Sequence, residues 1–175
     1  DCVNVPGANA TTVAEHVIWS ASALLRKYPA VNSDLRNQGW EAGRAHSDHG
    51  RELSGRTVGI LGVGNVGRNV AAMARHGFGC RIIAHTRTAA NLPQGVAQVS
   101  MDDLLAQSDI LVLACPLTDQ TRGIIDSTAI GKMKQNAIVI NVSRGPVTDE
   151  DALAKALASG HLGGAAIDVF SEQPL

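Results

Sequence analysis

TVGILGVGNVG, residues 57–67, is the stretch from which the rest of the chain can be placed. Residues 58–61 form an apolar run without alternation, the pattern of a parallel strand buried on both faces. The chain then passes Gly62, Gly64 and Gly67, a G-x-G-x-x-G spacing, and enters the helix-like segment NVAAMARHGF. Each glycine answers a separate need. Gly62 permits a tight turn, Gly64 lets a pyrophosphate lie against the backbone, and Gly67 lets the helix pack on the strand. Free N–H groups and the positive dipole at the helix start favour phosphate. The spacing alone fits any glycine-rich turn. With a strand before it and a helix after it, the expectation is a dinucleotide site.

Bulk properties narrow the alternatives. The chain has 175 residues, enough for one domain with a real core, and is 45% hydrophobic with a formal net charge of -1. That balance argues against an electrostatic nucleic-acid binder, and 3% aromatic residues argue against base-stacking platforms. No apolar run approaches membrane-spanning length and no signal peptide is visible. Cys2, Cys80 and Cys115 have neither metal-ligand nor disulfide-framework spacing, so a reducing cytoplasm is the simplest compartment. His46 and His49 are spaced as a metal pair, but no cysteine or carboxylate cluster accompanies them and no metal is expected. The opening at Asp1 and the stop at Leu175, directly after a motif, suggest a piece of a longer protein.

In chain order, residues 1–9 read as a short extended piece and a Pro-Gly turn. Residues 10–28 read as a helix through Val13, Val17, Ala21 and Leu24, residues 30–38 as a weaker helix, and residues 39–56 as a loop. Strands are expected at 57–62, 80–85, 97–99, 109–114, 137–142 and 163–167, and helices at 65–77, 101–107, 127–132 and 149–159. Thr148 or Asp149 is placed to begin the last helix and Gly160 to end it. The alternation implies an α/β fold, a Rossmann-type doubly wound parallel sheet, with residues 1–50 as an N-terminal helical segment packing on a dinucleotide-binding domain at 51–175. In such a sheet the ligand lies at the carboxyl ends of the strands, here Gly62, His85, Cys115, Ser143 with Arg144, and Asp168.

Two positions there carry chemistry. The second strand usually ends in an acidic residue that bonds the ribose 2′-OH, but here His85 takes that place, followed by Thr86, Arg87 and Thr88. Arg87 has the planar fork to pair with a 2′-phosphate, which favours NADP over NAD; otherwise it is a solvated loop cation. Arg144 follows a buried run and precedes Gly145 and Pro146. On its own it reads equally as a grip for a carboxylate or as a surface arginine.

GANATTVAEH, GILGVGNVGRNVA, ACPLTDQTRGIID, INVSRGPVTDEDAL and GGAAIDVFSEQPL, in that order, resemble the D-isomer-specific 2-hydroxyacid dehydrogenases over nearly the whole chain. The resemblance implies a two-domain enzyme, of which this is the nucleotide domain. It implies that Arg144 binds the substrate carboxylate, that Val142 and Ser143 line the nicotinamide end, and that Asp168 contacts the nicotinamide side. Asn65 and Val66 would lie over the pyrophosphate, and Cys115 and Pro116 beside the adenosine ribose. Asn9 matches a substrate-side asparagine of the formate dehydrogenase branch. The helix from Ala10 is similar to one that packs at the family's dimer interface, which implies a homodimer through this domain.

The chain departs from the family pattern twice. The resemblance implies a catalytic histidine in a proline-histidine-glycine stretch beyond the D-V-F motif, and the chain ends before such a stretch. The substrate domain, its first half included, and the C-terminal strand are likewise absent from this chain. The chain alone is therefore expected to bind cofactor without catalysis. Gln173 stands where the family usually has the glutamate that partners that histidine, and Glu172 precedes it. An amide fixes a histidine tautomer but stabilises imidazolium less than a carboxylate does. The leading expectation is hydride transfer between NAD(P)H and a small 2-keto or 2-hydroxy acid of the glyoxylate or hydroxypyruvate kind. The alternatives are a formate-dehydrogenase-like activity, which Gln173 suits, and a nucleotide-sensing corepressor-like binding protein, which fold alone does not exclude.

Overall fold

Strand runs without polar alternation need cover on both faces, and the architecture supplies it. The computed structural model describes residues 5, 7–88 and 92–172. Its strands are β1 (Thr57–Leu61), β2 (Arg81–His85), β3 (Val96–Gln98), β4 (Ile110–Leu113), β5 (Ile138–Asn141) and β6 (Gly164–Ile167). They form one 6-stranded sheet in the order β3-β2-β1-β4-β5-β6, with every pairing parallel. The strand order reverses direction between β1 and β4, and the crevice for a ligand opens at the carboxyl ends there.

Alternate side chains of each strand leave on opposite faces. Val58, Ile60, Ile82, Ile110, Val112, Ile138 and Ile140 pack with α1 (Ala10–Leu25) and α4 (Asn65–Phe78). Ile83, Leu111, Leu113 and Val139 pack with α5 (Met101–Gln107), α6 (Ser127–Gly131) and α7 (Glu150–Ala158). Each fully buried Leu or Ile contributes about 1.5–3 kcal/mol of transfer free energy. The N-terminal helix belongs to this core, since Ala14, Val17, Ala21 and Leu25 are all buried in the first cluster.

Local signals set the helix ends. Ser100, Asp126 and Asp149 cap α5, α6 and α7 by accepting from the amides of Asp103, Ala129 and Ala152. Gly160, at φ +72°, turns the chain after α7. The strands and the helices from α4 onward lie within one residue of the expected bounds.

The N-terminal region departs from expectation. The segment 39–56 is not all loop: it contains α3 (Trp40–Arg44) and a 3-10 turn at Ser47–His49, and the preceding α2 runs Tyr28–Gln38 with a proline in its first turn. The reason is tertiary. A Cβ on Gly43 would sit 3.0 Å from Leu35 Cβ, so this glycine lets α3 lie close on α2. Five residues are too few for a periodic signal. His46, considered above as a metal pair with His49, instead places Nε2 2.7 Å from Asp34 Oδ2. No helix among the described residues is long and apolar enough to cross a membrane.

At the opposite end of the sheet from the crevice, Asp109 joins β1 to β4. Its Oδ2 accepts from Thr57 N at 2.9 Å, and its Oδ1 accepts from Lys134 Nζ at 3.0 Å. Burial alone would raise the Asp109 pKa. The Thr57 hydrogen bond and the Lys134 charge outweigh it and hold the carboxyl below its ordinary 3.8. A depressed carboxyl pKa means stability present above that ordinary value and lost as pH falls through the folded one. Asp109→Asn should therefore lower stability at pH 7, by about 0.5–1 kcal/mol for this partly exposed pair. The difference from wild type should shrink in thermal melts as pH falls below 4, and a gap of constant size at every pH would contradict this.

Candidate functional site

Two clefts meet at the turn between β1 and α4. The three glycines there differ in what surrounds them. Gly62 has φ +92°, and a Cβ on it would lie 2.7 Å from Cys115 Cα. A Cβ on Gly67 would lie 2.4 Å from the Gly62 carbonyl oxygen and 3.2 Å from Ile60 Cγ2. A Cβ on Gly64 would meet no protein atom within 4 Å. Two of these glycines admit neighbouring backbone, and the third faces open cleft. Helix α4 begins at Asn65 with no side-chain cap, so its first N–H groups are offered to the cleft. The turn fits a bound pyrophosphate in both shape and polarity.

The first cleft, of about 320 Å³, lies on the β2 side of the turn and is lined by His85, Thr86, Arg87, Cys115 and Pro116 among others. His85 closes β2. Its carbonyl accepts from Gly62 N at 3.0 Å, and its ring Nδ1 lies 3.0 Å from the Val99 carbonyl. A carbonyl accepts only, so Nδ1 carries the proton and Nε2 is the nitrogen left for other partners. Arg87 is exposed, and among the described residues no carboxylate lines this cleft or pairs with Arg87. Cys115 is buried, which raises its thiol pKa and keeps it protonated.

The second cleft, of about 690 Å³, lies on the β5 side and brings together Asn9, Asn65, Val66, Val142, Ser143 and Arg144. Arg144 is exposed and donates from Nη1 to the Ser143 carbonyl at 2.6 Å. The rest of its fork stays available for a planar anion. Asn9 stands at the N-cap of α1 at the cleft wall and makes no capping hydrogen bond, nor any other side-chain hydrogen bond among the described residues. The N-terminal turn meets the glycine turn here: a Cβ on Gly7 would lie 2.5 Å from Asn65 Nδ2, and Asn69 Nδ2 donates to Thr11 Oγ1 at 3.2 Å.

The clefts gather most of the residues singled out from sequence. Gly67 and Asp168 are exceptions. Gly67 packs against the Gly62 backbone and lines neither cleft. Asp168 follows β6, is exposed, donates its amide to the Asn141 carbonyl at 3.0 Å, and also lines neither. Gln173 lies outside the described residues.

Three supporting residues escaped the sequence reading. Thr121 Oγ1 accepts from Thr118 N at 2.8 Å and donates to the Pro116 carbonyl at 2.7 Å, which folds the loop rimming the first cleft. Its signal was a Thr-rich turn after proline. A Cβ on Gly145 would lie 2.1 Å from the Phe170 carbonyl carbon, so only glycine lets the segment after β6 pass behind Arg144. That approach is non-local and leaves no local signature. Asn141 is a lone amide at 1% exposure ending an apolar strand, a pattern visible in the sequence.

Residues 18–175 match the family model described as D-isomer specific 2-hydroxyacid dehydrogenase, NAD binding domain. The chain belongs to that family. It is 37% identical to D-3-phosphoglycerate dehydrogenase of Mycobacterium bovis over 98% of this chain and 32% of that protein. It is likewise 37% identical to hydroxypyruvate reductase of Thermotoga maritima, over 98% of this chain and 55% of that protein. Among solved structures it is similar to NAD-dependent formate dehydrogenase from Staphylococcus aureus in complex with NAD. The TM-score is 0.90 at 32% identity, covering 98% of this chain and 52% of that one. The chain thus spans about a third to a little over half the length of these dehydrogenases.

The glycine geometry separates two roles that substitution can test. Gly67→Ala forces a methyl group against backbone and should cost about 1–3 kcal/mol, a fall of several degrees in Tm. Gly64→Ala meets only open cleft. It should leave Tm within about 2 °C while weakening NADH binding by about tenfold or more, measured by calorimetry. A Gly64→Ala protein with wild-type NADH affinity would show that the cofactor does not lie against this backbone.

Proposed function

We propose that the protein carrying this chain is an oxidoreductase that moves a hydride between NAD(P)H and a small 2-keto or 2-hydroxy acid, of the glyoxylate or hydroxypyruvate kind. This chain, with residues 51–175 as its dinucleotide-binding domain, holds the cofactor. One observation carries the proposal: Arg144 shares a cleft with the glycine turn, so a carboxylate on its guanidinium lies within reach of a cofactor on that turn. The nicotinamide, when bound, supplies or accepts the hydride. Asn65 and Val66 would lie over the pyrophosphate and hold it through their amides. Val142 and Ser143 would flank the nicotinamide and Cys115 and Pro116 would lie beside the adenosine ribose, while Asp168, which lines neither cleft, would contact the nicotinamide side from the end of β6. Arg144 would pair with the acid's carboxylate and polarise the adjacent carbonyl, with Asn9 in the same cleft on the substrate side.

The proton comes from elsewhere. None of the chain's six histidines lines the cleft that holds Arg144. In the whole protein a histidine outside this chain supplies it, with Gln173 as its partner. The chain alone should accordingly bind NADPH in calorimetry and show no turnover above blank with 2-keto acids. Turnover by the chain alone would mean that the proton donor lies within it. A formate-dehydrogenase-like activity is the second reading, supported by the similarity to the Staphylococcus aureus enzyme. A panel of glyoxylate, hydroxypyruvate, pyruvate, longer 2-keto acids and formate with each cofactor distinguishes the two. Absence of turnover on the whole panel in the full-length protein would leave a nucleotide-binding regulator as the better reading.

NADP is the preferred cofactor. Arg87 at the cleft mouth, with no carboxylate among the described lining residues to repel a 2′-phosphate, supports this preference. A charge-assisted pair to phosphate contributes about 1.5–3 kcal/mol, roughly ten- to a hundredfold. In the full-length enzyme Arg87→Ala should raise KM for NADPH by that factor and KM for NADH little. Equal effects on both cofactors would remove the basis for the preference.

In this reading the enzyme is a cytoplasmic homodimer that associates through the nucleotide-binding domain, with the helix from Ala10 at the contact. Trp19, at 62% exposure on α1, is an exposed apolar side chain that supports such a contact. The free, buried thiols of Cys80 and Cys115 suit a reducing compartment. Sedimentation velocity of wild type and Trp19→Glu measures the association, and a monomeric wild type contradicts it.

A further inference from the structure

Arg144 is exposed and sits in a loop, so something must hold its backbone for the side chain to meet a ligand reproducibly. Asn141 does this through its side chain. Its Oδ1 accepts from Ser143 N at 3.0 Å and from Ser143 Oγ at 2.7 Å. Its Nδ2 donates to the Arg144 carbonyl at 3.1 Å and to Thr148 Oγ1 at 3.3 Å. An asparagine side chain offers two acceptor sites and two donors, and here all four are used inside one seven-residue span. The orientation of the amide is fixed by its partners, because the Ser143 N–H only donates and the Arg144 carbonyl only accepts.

We infer that Asn141 is a positioning residue for the site: its buried amide is the template around which residues 142–148 close, and through that template it sets where Arg144 and Ser143 stand. The inference rests on the reading of Arg144 as the carboxylate-binding residue. Asn141 is buried at 1% exposure and lines neither cleft, so positioning, and not ligand contact, is the role assigned to it. A buried amide among Ile138, Val139 and Ile140 costs free energy unless fully bonded, and an apolar residue would fill the same volume without that demand. What an apolar residue lacks is the four-point connection to the loop.

Aspartate has the same shape and retains the acceptors facing Ser143, but it sets an oxygen against the Arg144 carbonyl. Asn141→Asp thus disturbs Arg144 selectively. A double-mutant cycle with Arg144→Ala in the full-length protein tests the inference through KM for glyoxylate and the dissociation constant for NADPH. Asn141→Asp should raise KM for glyoxylate by about tenfold or more. NADPH affinity should stay within about threefold. In the Arg144→Ala background the same substitution should change KM by less than about twofold, because a residue acting through Arg144 has nothing left to position. Thr148→Ser, which keeps the hydroxyl, should behave as wild type, and Thr148→Val should show a smaller version of the same pattern. If Asn141→Asp does not fold, Thr148→Val takes its place in the cycle. Equal losses in both backgrounds, or an NADPH loss as large as the KM change, overturn the inference in favour of a general structural role. A wild-type protein that reduces no 2-keto acid counts against the proposed activity instead. The cycle is then read from oxalate binding to the NADPH-loaded protein, where non-additivity supports the inference and additivity, or indifference to Arg144→Ala, overturns it.

Discussion

A methyl group at Gly67 would lie 2.4 Å from the Gly62 carbonyl oxygen, closer than any side chain tolerates. That approach of helix to strand is what the site depends on. It lets α4 start directly at the end of β1, so the helix's unpaired amides open into the crevice and not over the sheet. It also draws the turn against Cys115 at the end of β4, where Gly62 has space only because it lacks a Cβ. The two central strands, the helix dipole and the floor of both clefts are fixed by one pair of backbone contacts. The burial of every residue of β1 then anchors the turn to the most rigid part of the molecule.

On this floor the two clefts have different chemistry. The one beside β2 is lined by hydroxyl groups, an imidazole and a guanidinium, with no carboxylate among the described residues, and so accepts negative charge. The one beside β5 is shared between the sheet and the N-terminal helix, because Gly7, Asn9 and Ala10 form part of its wall. Helix α1 is held there by its own core residues and by the hydrogen bond from Asn69 to Thr11. A segment that looks like an appendage in sequence order therefore completes the cleft that contains Arg144.

The fold was legible because its signals are local. The apolar runs, the glycine spacing and the capping residues Ser100, Asp126 and Asp149 each act within a few residues, and they recur in register along the chain. The placement of candidate residues at the clefts was legible where a motif coincides with a strand end, as at Gly62, His85, Cys115 and Arg144. It was not legible where the cause lies far away along the chain. Gly145 is glycine because Phe170 passes behind it, and Gly43 because Leu35 lies beneath it. Neither partner can be inferred from neighbours in sequence. Asn141 is the intermediate case. Its position at the end of Ile138, Val139 and Ile140 marks it as a polar residue entering the core, but which atoms it bonds is decided by the path of residues 142–148.

The loop that rims the first cleft and the loop that carries Arg144 are joined by backbone hydrogen bonds. Gly123 N donates to the Pro146 carbonyl at 2.8 Å, Ile125 N to Val147 at 3.2 Å, and Asp149 N to Ile125 at 3.0 Å. With the parallel bridge between Ile125 and Thr148, they form a strut between the two ends of the site. A ligand that stiffens one end of a strut removes part of the entropy that a second ligand would otherwise have to remove at the other. Thermodynamic linkage makes such an effect mutual: whatever occupancy of one cleft does to affinity in the other is returned by the same factor.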